Sequence, residues 1–263
     1  MSADPNGPAR MPVLFVGHGT PMNAIEDNRW SRAFRALGAE LPRPRAVLCV
    51  SAHWFVPGTF LTGNAHPTTI HDFGGFPDEL YRVRYPAPGD PALASRVAST
   101  LGGERAAVRD DWGLDHGCWS VARHLFPAAD LPVVQLSIDS RVTPAGHLAI
   151  GRKLAPLRDD GVLVLASGNL THNLRHALTN PRAPTPDWAV RFDADASDAV
   201  LRGDDGFLVR ALDDETGRRN HPTPDHYLPL LYAVGAASGR ASVRFPIEGF
   251  DLSSLSMRAV RMD

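Results

Sequence analysis

The chain has 263 residues, 43% of them hydrophobic, with 27 basic and 29 acidic side chains and a formal net charge of -2. That is enough apolar material for one large α/β domain, and the even spread of charge excludes an electrostatic footprint for nucleic acid or an anionic membrane. Two cysteines, Cys49 and Cys118, are too few for a disulfide scaffold or a Cys-ligated zinc site, and no apolar run approaches membrane-spanning length.

Residues 1–10 lack the basic and apolar regions of a secretory signal and are predicted to be a short disordered lead to a single domain over 11–263. A strand is predicted over 13–16, a helix over 28–37 with Trp30, Phe34 and Leu37 at helical spacing, and a second strand over 46–51. The Gly-, Pro- and aromatic-rich stretch 55–88 is predicted to be a functional loop or lid. A helix follows over 91–101, then a loop running into a helix that begins near Asp115, and a strand over 133–138. An amphipathic helix is predicted over 145–157, a buried strand over 162–167, a polar helical region over 188–212, a late helix opened by Thr223 as N-cap and Pro224 at N1, and a closing strand over 243–245. Strands alternating with helical crossovers predict an α/β fold of three layers, a mostly parallel sheet with helices on both faces, and late segments that add antiparallel edges.

Eleven histidines are present. His18 and His53 each follow an apolar run that reads as a buried strand, and strand C-terminal ends are where open α/β sheets build sites, so the pair predicts a metal at the sheet edge. His226, in the expected first turn of the late helix, is the third candidate ligand, with His221 and Asp225 as alternatives. His172, just past the 162–167 strand and flanked by Asn169, Thr171 and Asn173, suits either a general base or a fourth ligand. His116 could donate a proton or hydrogen bond to a bound oxygen species, and His71 could touch substrate. His66, His124, His147 and His176 are assigned to solvated loops or helix surfaces. The glycines of Gly17-His-Gly and Gly74-Gly make no nucleotide-binding pattern, and no Gly-x-Ser-x-Gly elbow supports a serine hydrolase.

Gly17-His-Gly-Thr-Pro-Met, Ser51-Ala-His-Trp, His71-Asp-Phe-Gly-Gly-Phe-Pro, Asp115-His-Gly-Cys-Trp, Gln135-Leu-Ser-Ile-Asp, Thr171-His-Asn-Leu and His221-Pro-Thr-Pro-Asp-His together resemble the 4,5-DOPA dioxygenase extradiol family, class III extradiol enzymes related to the catalytic subunit of protocatechuate 4,5-dioxygenase. The resemblance implies a metal-dependent enzyme that opens the ring of DOPA or a related catechol with O2. It implies one divalent metal per chain held by His18, His53 and His226, with His226 standing where related enzymes use a carboxylate and His172 able to join as a fourth ligand. Fe(II) is expected for dioxygenase activity, while a three-histidine set also suits zinc. His172 would take the proton of the diol and His116 would donate to oxygen. The segment 71–85, with His71, Phe73, Phe76 and Tyr81, would cover the aromatic ring, and Arg82 or Arg84 would bind a substrate carboxylate. A zinc hydrolase and a non-catalytic metal-binding protein of the same fold are the competing readings. The expected partners are a small aromatic diol and O2, with no nucleic acid and no membrane. A cytoplasmic location is expected, with monomer and homo-oligomer both open.

Overall fold

The computed structural model describes residues 10–103, 106–239 and 242–263, so residues 1–9 of the predicted lead lie outside the described residues. In chain order the elements are β1 (Val13–Gly17), α1 (Arg29–Ala39), β2 (Ala46–Val56), β3 (Thr59–Thr62), α2 (Asp78–Arg82), α3 (Pro91–Leu101), β4 (Ala106–Arg109), α4 (His116–Leu125), β5 (Val133–Asp139), α5 (Pro144–Leu154), β6 (Val162–Gly168), α6 (Leu174–Thr179), α7 (Asp187–Arg202), α8 (Asp205–Arg210), α9 (Glu215–Asn220), α10 (Leu228–Ala236), β7 (Val243–Ile247), β8 (Phe250–Asp251), β9 (Leu255–Ser256) and β10 (Ala259–Met262).

Eight strands form one sheet in the order β4-β3-β5-β2-β6-β1-β10-β7, with β8 and β9 a separate hairpin. The central strands β5, β2, β6 and β1 are mutually parallel, and β10 and β7 extend the β1 edge antiparallel, as the sequence predicts for the late segments. Every residue of β1, β5 and β6 is buried. The cause is coverage of both faces. Alternate residues Val13, Phe15, Leu48, Val50, Val162 and Val164 pack toward α3, α5, α7 and α10, whereas Leu14, Val16, Val47, Cys49, Leu163 and Leu165 pack toward α1 and α4. Helix starts follow local chemistry: Asn28 closes a capping box on α1, and Asp90 and Thr143 cap α3 and α5 with proline in the first turn. Among the described residues no helix is long and apolar enough to cross a membrane.

Several expectations are corrected. β2 runs on to Val56 rather than ending at 51, and its register against β5 shifts between Val50 and Phe55 while its pairing with β6 stops at Ser51. His53 therefore lies at an irregularity inside a strand, where the parallel partner has ended. The stretch 55–88 is not all loop: Gly58, with φ of 143°, turns the chain into β3, and α2 forms later in the segment. The region 188–212 divides into α7 and α8, because Gly203 adopts a left-handed conformation (φ 70°) that ends the first helix. The late helix begins at Leu228 instead of 224: Tyr227 and Leu228 both donate backbone N–H bonds to the Pro224 carbonyl, which makes residues 224–227 a separate turn carrying Asp225 and His226. His124 and His147 are buried rather than solvated, since each ring has a partner inside: the Asn23 carbonyl at 2.8 Å and the Tyr232 hydroxyl at 2.9 Å.

Candidate metal centre

Register explains why distant histidines meet. Ser167, near the carboxyl end of β6, pairs with Val16 on one side and Ser51 on the other, so the ends of β1 and β2 flank the end of β6. His18 follows β1 directly and His53 follows Ser51 by two residues. His226 arrives from the turn before α10, tied down by the Asn169 N–H, which donates to its carbonyl at 2.9 Å. Ring nitrogens of His18, His53 and His226 lie within 4.8 Å of one another.

Close backbone approach makes this possible. A methyl group on Gly168 would collide with the His226 carbonyl, lying against its oxygen and 3.1 Å from its carbon, and one on Gly117 would lie 2.9 Å from Cδ2 of His53.

Each of the three rings is held by its Nδ1. Ser167 donates its hydroxyl hydrogen to the Gly117 carbonyl (2.6 Å), so toward His18 Nδ1, 3.0 Å away, it can only accept. His53 Nδ1 lies 3.1 Å from Asp72 Oδ2, and His226 Nδ1 is hydrogen-bonded to Asp225. All three Nδ1 atoms therefore carry the hydrogen, leaving three Nε2 lone pairs. Those of His18 and His53 face each other at 3.2 Å. Two bare lone pairs at that distance repel unless a cation or a proton lies between them. A tetrahedral ion with bonds of about 2.0–2.1 Å would hold two imidazole nitrogens about 3.3 Å apart, so the donor set fits a divalent metal.

Electrostatics agree with a site prepared for one positive charge. Burial and the neighbouring imidazoles push His18 and His226 well below the usual histidine range. Burial also pulls His53 down, but its hydrogen bond to Asp72 and the carboxylates of Asp115, Asp72 and Asp225 outweigh this and raise it. Asp72, although itself partly buried, is held well below the carboxylate range by its hydrogen bonds to His116 and His53.

The structure brings His116 and His172 to the same cleft. The His116 N–H donates to Asp72 Oδ1 (2.9 Å), and its ring Nδ1 lies 3.0 Å from the same oxygen, off the hydrogen-bond direction; burial lowers it to about 4. His172 stacks flat on His226, centroids 3.5 Å apart, and burial lowers it to about 3. His221 points elsewhere, its Nε2 bonded to the Leu170 carbonyl at 2.8 Å.

The cleft in front of these rings has a volume of about 540 Å³ and is walled by Phe73, Phe76, Leu174, Leu178, Leu252 and Leu255. His71 and Tyr81 stand behind Phe73, with ring centroids 5.7 and 5.2 Å from it, and His71 bonds the Val83 carbonyl. Arg84 turns its guanidinium onto the Tyr81 and Val83 carbonyls, and neither it nor Arg82 lines the cleft. Sequence reasoning missed Asp72, Ser167 and the leucine wall. Asp72 alone carried a signal, the carboxylate beside His71 in a stretch already marked as functional.

Residues 13–258 match the family model described as the catalytic LigB subunit of aromatic ring-opening dioxygenase. The chain is 48% identical to 4,5-DOPA dioxygenase extradiol of Escherichia coli K12 over 257 residues, 96% of this chain and 95% of that one. It is 38% identical to the 4,5-DOPA dioxygenase extradiol of Beta vulgaris over 239 residues, 86% of each. The crystal structure of an uncharacterized protein from Escherichia coli K12 superposes with a TM-score of 0.82 at 44% identity, covering 97% of this chain and all of that one.

Proposed function

The chain belongs to the LigB family of aromatic ring-opening dioxygenases, and from that membership we propose that it cleaves the ring of DOPA or a related catechol beside its diol, using O2 and one divalent metal held by His18, His53 and His226. The observation that carries the metal assignment is the set of Nδ1 anchors on Ser167, Asp72 and Asp225, which leaves three imidazole lone pairs on one side of the sheet edge. Fe(II) bound there would supply the redox chemistry that joins diol and O2.

The protein's own groups handle protons and water. His172 and His116 both enter as free bases, since burial holds them at about 3 and about 4. A base so weak accepts a proton only when negative charge develops beside it, as it does on a diol losing its hydrogens. His172 is assigned that first proton. His116 is assigned the second proton of the diol; once protonated it has the Asp72 carboxylate 3.0 Å away, and it returns that proton to a developing oxygen anion. Phe73 and Phe76 close over the cleft from the 71–85 segment and keep water from the ring's edge.

The test is to load the protein anaerobically with Fe(II), add a panel of catechols and then oxygen, and follow oxygen uptake with the yellow colour of the ring-opened product. His226→Ala should abolish uptake, and His172→Ala should slow it by about 10²–10⁴-fold. Absence of oxygen uptake across the whole panel sinks the proposal. The three-neutral-histidine donor set also supports a second reading, zinc-activated water in a hydrolase; native metal content together with ester turnover separates the two.

A further inference from the structure

The metal cleft has no cationic wall for the charged tail of an amino acid: among the described residues no lysine or arginine lines it. A second cavity, of about 400 Å³, adjoins it, and Thr20 and Leu252 line both. Thr20 follows His18 by two residues, so the shared wall stands beside the histidine cluster. The second cavity lies between the start of α1 and the β8–β9 hairpin, and its lining includes Glu26, Arg29, Trp30 and Asp251.

Arg29 is placed there against its own helix. It is the first residue of α1, at the positive end of the helix dipole, and no acidic residue stands in that first turn to offset it. The guanidinium is nevertheless fixed: it lies over the Trp30 ring, 3.8 Å from the centroid, and donates through Nη2 to the Phe250 carbonyl at 2.9 Å. Among the described residues no carboxylate comes within ion-pair distance of it. Its remaining N–H groups are left for an incoming carboxylate, which would also relieve the repulsion from the helix end.

Asp251 presents the opposite charge to the same cavity. It accepts the Leu252 N–H at 2.9 Å and, among the described residues, has no cation within ion-pair distance. Burial raises it above the usual carboxylate range, an effect that the Leu252 N–H and the more distant Arg29 offset only in part and that Glu26 reinforces. The hairpin holds it in place, with Leu252 and Ser253 at left-handed φ values of 44° and 65° and Thr171 donating to the Ser254 carbonyl at 2.6 Å. Opposite charges that face one cavity without pairing with each other suit a zwitterion, since a lone anion or a lone cation would compensate only one of them.

We propose that the second cavity is the subsite for the amino-acid end of the substrate, in which Arg29 receives the α-carboxylate and Asp251 and Glu26 receive the α-ammonium while the catechol ring occupies the metal cleft. The substrate class is then a catechol bearing an α-amino acid. The inference rests on the ring-opening reading of the cleft, and it transfers to Arg29 the carboxylate contact expected of Arg82 or Arg84.

Four catechols separate the two charges: DOPA carries both, dopamine only the ammonium, 3,4-dihydroxyphenylpropionate only the carboxylate and 4-ethylcatechol neither. Binding is measured by calorimetry on Zn(II)-loaded protein, where no turnover intervenes, and KM by oxygen uptake on Fe(II)-loaded protein. Ion pairs at exposed sites strengthen binding by only about two- to fivefold each, so DOPA should bind about tenfold more tightly than 4-ethylcatechol, with the singly charged compounds between them. Arg29→Gln should cut the advantage of DOPA over dopamine by about two- to fivefold, and Asp251→Asn should cut its advantage over the propionate by a similar factor. DOPA binding no more tightly than 4-ethylcatechol, or either variant weakening all four compounds alike as a purely structural residue would, overturns the subsite. If the binding pattern holds but Fe(II)-loaded protein consumes no oxygen with any of the four, the subsite stands and the ring-opening reading falls. If all four are turned over with equal KM, the reverse follows.

Discussion

Replacing Ser167 by alanine isolates the anchoring of one ring from the identity of the ligands. The hydroxyl accepts from His18 Nδ1 at 3.0 Å and donates to the Gly117 carbonyl at 2.6 Å, and Ser167 is fully buried, so no bulk water stands ready to replace it. Alanine leaves the buried His18 N–H without a partner, at about 1–3 kcal/mol, while the Gly117 carbonyl, inside α4, still accepts from its own helix. The middle of that range is about 2 kcal/mol, or about 4–8 °C in Tm for a chain of this size. The ring also loses what holds its hydrogen on Nδ1, and the tautomer with hydrogen on Nε2 cannot bind a metal through that atom. Loss of such a supporting hydrogen bond weakens metal affinity by about 10–100-fold. The assay is competition for Zn(II) against a chromophoric chelator, run beside thermal melts with and without metal. Affinity within twofold of the parent, together with the expected drop in metal-free Tm, would show that Ser167 serves packing alone and would refute the tautomer argument.

Gly168→Ala should weaken Zn(II) binding by at least about tenfold, because the added methyl drives against the His226 carbonyl and overpacking of this kind also destabilises by about 1–3 kcal/mol; unchanged affinity in the chelator competition contradicts it. Removing metal with a chelator should lower Tm by about 5–10 °C relative to protein in metal at 100 times its Kd, from a linkage of about 2.7 kcal/mol, and coincident melts would leave the histidine cluster without a metal. Stability should also fall in mild acid. His147, buried against Tyr232, is lowered to about 4 by burial, below the value of about 6.5 it has when unfolded, so its contribution is complete above pH 6.5 and drains away as pH falls toward 4. At pH 5 the loss from this residue is about 2 kcal/mol, and in urea titrations at pH 7 and 5 His147→Gln should remove that share of the difference; a variant with the parent's full pH dependence would place the effect elsewhere.

What could be read from the sequence was what the chain encodes locally. Apolar runs ending in Gly17-His18 and Ser51-Ala-His53 announce buried strands that deliver a polar ring to an edge, and that local pattern was enough to bring two rings to one place. The third needed more: His221 and His226 share one loop, and only the turn closed on the Pro224 carbonyl and the packing of Gly168 on the His226 backbone decide which ring faces the other two. Ser167 was illegible because its role depends on register, which sets it beside a histidine 149 positions away. His124 and His147 were misread for the same reason, their partners Asn23 and Tyr232 lying 101 and 85 positions off. The leucines of α6 show the other side of this limit. Their i, i+4 spacing is plain in the sequence, yet spacing says only that they share a face, and the same pattern serves a core stripe. The fold turns that face to the open cleft instead of the interior, which no spacing rule could have told apart from a core stripe.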